Sequence, residues 1–225
     1  MWGLAEGGAS IFAKAILNLL GDFGRFVWLA DSFEGMPVQK EQDKVDFALA
    51  GNEFLAVSLE DVQENFRRFG LLDDNIKFLK GWFCDTLHKV PINNIAVLRL
   101  DGDYYSSPMD ILDVLYDKVS IGGYIIVDDY EAFASCRNAI QEFLAARRIA
   151  PEVIPSTGRA CIGGRNKSIA SPRIVVFQRD LPAQYGLRVL TVSSLADSRF
   201  TLPFERNVPY FALTGPKQPN APVGS

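Results

Sequence analysis

Two acidic clusters stand at the ends of two short apolar runs: Asp101-Gly102-Asp103 follows Ile95–Leu100, and Asp128-Asp129 follows Tyr124–Val127. Carboxylates crowded into one place repel and resist ionising unless a cation compensates them. Oxygen donors of this kind suit a hard divalent ion, Mg²⁺ or a relative. Asp101, Asp128 and Asp129 are therefore expected to hold a metal. The plainer reading, in which aspartates cap helices or lie in solvent, fits Asp103 and Asp110 as well as any special role.

A second set of residues is laid out for a nucleotide-like ligand. Gly3, Gly7 and Gly8 precede a helical pattern that takes in Ser10 and carries Ile11, Phe12, Ala15, Ile16 and Leu19. Glycines before a helix let a ligand approach the backbone and meet the positive end of the helix dipole. Asp31 ends the apolar run Phe26–Ala30, where nucleotide-binding sheets accept hydrogen bonds from ribose hydroxyls. The competing expectation is that Asp31 or Ser32 caps a turn. Gly81-Trp82-Phe83 follows Ile76–Leu79, and an aromatic pair at a strand tip can flank a purine, although such rings more often belong to core or rim.

The elements that must position these residues are legible in outline. Ile95–Leu100 and Tyr124–Val127 read as buried parallel strands. Between them Ser107 is expected to cap a helix with Pro108 in its first turn and Asp110 at its third position. Met109, Leu112, Leu115, Tyr116 and Val119 form its apolar face, and Gly122-Gly123 is expected to end the crossover. Ser58 and Asp61 mark the start of another helix, packed through Leu59, Val62, Phe66 and Phe69 and stopped at Gly70. Ala132–Arg147 reads as a helix, and Glu152–Pro155, Arg173–Gln178 and Leu187–Val192 read as strands. Glu34–Gly51 is polar, broken by Gly35 and Pro37, and long enough to act as a flap over a site. Alternating strands and helices, with acid at successive strand tips, indicate a doubly wound α/β sheet. In such a sheet ligands bind outside the carboxyl ends of the strands.

With 225 residues, 48% of them hydrophobic and 12% aromatic, the chain can bury a sizeable core. A net charge of −4 argues against a general nucleic-acid binder. The acid excess lies before Pro151, and the remainder is net basic. Cys84, Cys136 and Cys161 are few and scattered, as expected of ordinary thiols in a reducing compartment. His88, the only histidine, has no partner set for a zinc site and is read as a surface residue. No apolar run approaches the ~18 residues of a membrane span, and no signal-peptide pattern opens the chain. A cytoplasmic protein is expected, with a small-molecule substrate, neither nucleic acid nor membrane as partner, and oligomerisation left open.

The stretches WLADSFEGMP (28–37), VSLEDVQENFRRFGLLDDNIKFLKGWFCDTL (57–87) and VLRLDGDYYSSPMDILDVLYDKVSIGGYIIVDDY (97–130) resemble the TylF/MycF type of macrocin O-methyltransferase. The resemblance covers about residues 3–150 and implies a Rossmann-like sheet of a class I S-adenosylmethionine-dependent methyltransferase, also Mg²⁺-dependent. It implies methylation of a hydroxyl on a sugar or similar polyol of a natural product. By position, Asp31 with Ser32 would hold the cofactor ribose, the turn Gly3–Gly8 with Ser10 the methionine end, and Gly81, Trp82 and Phe83 the adenine. Asp101, Asp128 and Asp129 would bind Mg²⁺, and Asp101 by preference, or Asp103, would act as general base. Tyr104, Tyr105 and Tyr130 are expected to shape the acceptor pocket.

The family's first strand has no counterpart before Gly3, so residues 1–155 are read as a domain incomplete at its N-terminus. Residues 156–225 are read as a divergent, partly disordered extension. Either Arg173–Gln178 or Leu187–Val192 is expected to fill the empty central slot. Two other readings fit the same residues: a metal-dependent glycosyltransferase using the Asp101-Gly102-Asp103 triplet, and a non-catalytic protein on a degenerate methyltransferase fold.

Overall fold

The computed structural model describes residues 7–130 and 132–149, and the backbone of 173–176 and 210–214. Its centre is a six-stranded sheet in the order β2-β1-β6-β3-β4-β5. The strands are β1 (Val27–Asp31), β2 (Ile76–Lys80), β3 (Ile95–Asp101), β4 (Val119–Val127), β5 (Arg173–Val176) and β6 (Tyr210–Thr214). Every pairing is parallel. The helices are α1 (Gly8–Leu19), α2 (Leu59–Arg68), α3 (Phe83–Thr86), α4 (Ser106–Leu115) and α5 (Ala134–Ala146). The doubly wound architecture expected from the sequence is present.

Two apolar clusters hold it together. Val27, Leu29 and Phe33 meet Ile11 of α1 and Val62 and Phe66 of α2. Leu98, Leu100, Ile125 and Val127 meet Ile111, Leu112 and Leu115 of α4 and Ile140 and Phe143 of α5. Leu29 and Ala30 fall into different clusters, as the two-residue period of a strand requires. The Ser58 cap of α2 is realised: its hydroxyl accepts from the Asp61 N–H at 3.1 Å and donates to the Asp61 carboxylate at 2.6 Å.

Three expectations are corrected. The slot between β1 and β3 is filled by Tyr210–Thr214, which pairs with both neighbours. Arg173–Val176 pairs with β4 at the sheet edge instead. Parallel strands joined through a helix tend to lie side by side, and β5, which follows α5, pairs with β4 at the edge and not in the centre. Leu187–Val192 lies outside the described residues, as does Glu152–Pro155. An unfilled slot would leave backbone groups of β1 and β3 unpaired, at ~1–3 kcal/mol each, and β6 satisfies them.

Ser107 does not cap α4. The helix begins at Ser106, Ser107 is fully buried, and the flanking Tyr105 N–H is satisfied from outside the helix. Gly122 and Gly123 lie inside β4, beside a register shift between Ile95 and Val97. A Cβ on Gly123 would stand 2.8 Å from the Ser120 carbonyl oxygen and 3.0 Å from that of Ala96, so only glycine fits this close strand approach.

Candidate active site

Strands β3 and β4 run in register, with Arg99 opposite Ile126 and Leu100 opposite Val127. Continuing that register brings Asp128 level with Asp101. One carboxylate oxygen from each of Asp101, Asp128 and Asp129 falls within 4.8 Å of the others. Oxygen ligands stand ~2.0–2.6 Å from Mg²⁺ or Ca²⁺, so ligand atoms on one ion are at most about 4–5 Å apart. The donor set and spacing therefore fit a hard divalent cation. Asp128 and Asp129 are buried, and Asp101 is nearly so.

The corner is tied together in two ways. Arg99 lies two residues before Asp101 on β3, so both side chains leave the same face of the strand. Its Nη1 donates to Asp101 Oδ2 at 2.6 Å, and its Nη2 pairs with Asp128 Oδ2 at 2.9 Å. After β3 the chain turns sharply at Asp103, whose φ of 53° is left-handed. The Asp103 N–H donates to Asp129 Oδ2 at 3.2 Å, which fixes that turn. Asp103 itself is half-buried and lies outside the group of three converging carboxylates.

The early half of the sheet is built from backbone. Gly7, at φ 83°, ends the approach to α1, and a Cβ there would meet Val62 Cγ1 at 2.9 Å. The first-turn N–H groups of a helix have no intrahelical acceptor, and those of Gly8, Ala9 and Ser10 open α1 at this point. Ser10 is buried and Gly8 half-buried. Gly3 lies outside the described residues. Asp31 stands at the β1 tip, where its Oδ1 accepts from the Phe33 N–H at 2.7 Å and its carbonyl accepts from the Gly81 N–H at 2.8 Å. Phe33 is itself left-handed, at φ 57°.

Asp31 thus organises its own turn while lying at the ligand edge. Ser32 is buried, and its hydroxyl accepts from the Glu34 N–H and donates to the Gly35 carbonyl, so the group expected at a ribose is engaged in the turn. Of the aromatic pair after β2, Phe83 is buried in the main core and only Trp82 is partly exposed.

Residues 34–56 fold over the other half of the edge, and sequence reading missed how. Asp43, buried, accepts from the Tyr105 N–H at 2.9 Å. Asp46 accepts from the Ala134 and Ser135 N–H groups at 2.8 Å each. Two carboxylates of one loop therefore cap α4 and α5, the helices that follow the two acidic strand tips. The capping signal was invisible because cap and helix are far apart in sequence. Tyr104 is buried beneath this loop, accepting from the Leu49 N–H and donating to the Phe47 carbonyl, so it supports the flap and does not line a pocket. Burial pushes its hydroxyl above the ordinary tyrosine range. Tyr105 donates to Glu142 at 2.6 Å, which raises its hydroxyl to about 12. Tyr130 is half-buried and accepts from Gln141 at 3.2 Å. Cys136 is buried under the acid corner, and desolvation first, then Asp129, raise its thiol well above the usual value. His88 and Cys84 are exposed.

A family model described as macrocin O-methyltransferase, TylF, matches residues 2–159. The chain belongs to that family. It is 49% identical over 145 residues to the 8-demethyl-8-(2,3-dimethoxy-alpha-L-rhamnosyl)-tetracenomycin-C 4'-O-methyltransferase of Streptomyces olivaceus, covering 63% of this chain and 55% of that protein. Over 156 residues it is 47% identical to the demethyldecarbamoylnovobiocin O-methyltransferase of Streptomyces niveus, covering 68% and 60%. The mycinamicin III 3''-O-methyltransferase of Micromonospora griseorubida is 42% identical over 158 residues, covering 68% and 62%. The matched part thus spans less than two thirds of each of these relatives. Among solved structures, the O-methyltransferase NovP superposes with a TM-score of 0.68 at 43% identity, covering 72% of this chain and 69% of that one. The calicheamicin methyltransferase CalS11, at 17% identity and a TM-score of 0.56, shares the fold. No helix among the described residues is long and apolar enough to cross a membrane.

Proposed function

We propose that this family member is an S-adenosylmethionine- and Mg²⁺-dependent O-methyltransferase acting on a hydroxyl of a sugar or similar polyol of a small-molecule natural product. The observation that carries the reading is the convergence of Asp101, Asp128 and Asp129 within 4.8 Å, at the same sheet edge as Asp31. The names of the relatives support the acceptor class. Bound, the cofactor supplies an electrophilic methyl group and the cation lowers the pKa of a chelated hydroxyl.

The chain's own residues do the positioning. Methyl transfer from a sulfonium needs an oxygen held in line more than it needs covalent help. Asp101, Asp128 and Asp129 would hold the cation, and their fixed positions at two strand tips would set the side from which the acceptor approaches. Gly7–Ser10 take the amino-acid end of the donor, Asp31 its ribose, and the Gly81-Trp82 tip its base. The donor would give up its methyl group to the acceptor oxygen as the C–S bond breaks, and a carboxylate of this chain would take the hydroxyl proton. Asp101, or Asp103 on the turn that follows it, is the carboxylate placed to take that proton.

The deciding measurement is the calorimetric affinity of S-adenosylhomocysteine with and without Mg²⁺, alongside turnover on a panel of hydroxylated acceptors. Asp101→Asn is expected to abolish turnover while leaving S-adenosylhomocysteine binding largely intact. Full activity in that variant, or in excess chelator, overturns the mechanism. Binding of UDP in place of S-adenosylhomocysteine would favour a glycosyltransferase.

A further inference from the structure

A buried arginine in a corner that gathers carboxylates for a cation is at first sight a contradiction. The Arg99 side chain is 5% exposed, and its planar fork spans the two strand tips, reaching Asp101 on one side and Asp128 on the other. Charges this deeply buried stay ionised only when paired. Without the guanidinium, three carboxylates would face one another across less than 5 Å. With it, the three converging carboxylates and the guanidinium sum to two negatives, the complement of a divalent ion.

Granted the cation reading of the corner, we infer that Arg99 is its positioning residue and its charge setter: it presents Asp101 and Asp128 to the cation and matches the site to a double charge. The guanidinium faces one oxygen of each carboxylate, Asp101 Oδ2 through a hydrogen bond and Asp128 Oδ2 through an ion pair, and so orients both toward the shared corner. A guanidinium does this because its donors are rigid and parallel; an ammonium is a point charge and secures one partner at a time. Partners that orient metal ligands in this way govern metal affinity without touching the ion. The plainer alternative is that Arg99 only neutralises buried acid. That role would tolerate lysine at full cation affinity.

Two substitutions separate these roles, read by Mn²⁺ titration in electron paramagnetic resonance and by Tb³⁺ luminescence in competition with Mn²⁺. Arg99→Lys keeps the charge and loses the fork. Its Mn²⁺ affinity is expected to fall about 10–100-fold, with the Tb³⁺-to-Mn²⁺ preference unchanged. Arg99→Met removes the charge and leaves three negatives, so Tb³⁺ is expected to gain on Mn²⁺ by at least about tenfold. Wild-type Mn²⁺ affinity in Arg99→Lys, or an unchanged ion preference in a folded Arg99→Met, overturns the inference. If Arg99→Met does not fold, Arg99→Lys decides alone. Failure of the unmodified protein to bind Mn²⁺ at all overturns the cation reading itself, and the inference with it.

Discussion

The two halves of one sheet edge prepare their sites by opposite means. On the later half, at the tips of β3 and β4, side chains carry the site: Asp101, Asp128 and Asp129 converge, and Arg99 holds two of them from below. On the early half, around β1, β2 and α1, the backbone carries it: Gly7, Phe33, Gly35 and Gly81 all take positive φ, and the Asp31 carboxylate is partly engaged in shaping its own turn. Under the proposed function, the contrast follows from what each half would meet. A small cation is gripped by point charges, and buried point charges need a counter-charge in place beforehand. A large, extended ligand is met largely by shape, and tight approach of backbone is what glycines and left-handed turns permit.

If the halves are as separable as they look, substitutions should part them cleanly. Asp128→Ala has the largest expected effect, because it removes a ligand and also strips Arg99 of a partner. Mn²⁺ affinity should drop by more than about 100-fold, while S-adenosylhomocysteine affinity measured by calorimetry stays within a few-fold of the unmodified protein. Loss of both would mean that the two halves are one cooperative site.

Asp31→Ala is the mirror experiment. Loss of a hydrogen bond from a charged acceptor is worth ~1.5–3 kcal/mol, so S-adenosylhomocysteine should bind about 10–100-fold more weakly, with the Mn²⁺ titration unmoved. Weakened Mn²⁺ binding in this variant would break the comparison from the other side.

Between the halves lies the flap, and Asp46→Ala tests whether it belongs to the later one. Removing a cap of this kind costs ~0.5–2 kcal/mol, to be read as a lower denaturation midpoint in urea at unchanged slope. Affinity for S-adenosylhomocysteine should not change, since α1 and β1 do not rest on Asp46. The smallest effect concerns Tyr105. Its hydrogen bond to Glu142 raises the folded pKa above the unfolded value near 10 to about 12. The linked stabilisation is therefore fully present below pH ~10 and is lost as pH rises through about 12. Ultraviolet difference titration of Glu142→Gln should show one tyrosine ionising at lower pH than in the unmodified protein. An unchanged titration would mean that burial, and not Glu142, sets the value.

Much of this was legible residue by residue. The strands at 76–80 and 95–101, the helix opened by Ser58, and the acid at three strand tips announce themselves through apolar runs, a cap and punctuation that act over a few residues. The errors share a cause. Ser107 looked like a cap because the true partners of the α4 and α5 termini, Asp43 and Asp46, come from a loop some sixty to ninety positions away in the chain. Tyr104 looked like pocket lining because nothing local says that a loop folds down over it. Ser32 and Phe83 sit at strand tips, as expected of ligand contacts, yet turn geometry claims the one and the core the other.

By itself the sequence determined the alternation of elements and the presence of carboxylates at their ends, because helical and strand periods and turn residues are local properties of the chain. Only the tertiary structure decided which segment lies between β1 and β3, that Asp101 stands level with Asp128, and that Arg99 reaches both. Those facts depend on strand order and register, which are settled by burying surface and pairing backbone across the whole sheet, and no window of neighbouring residues contains them.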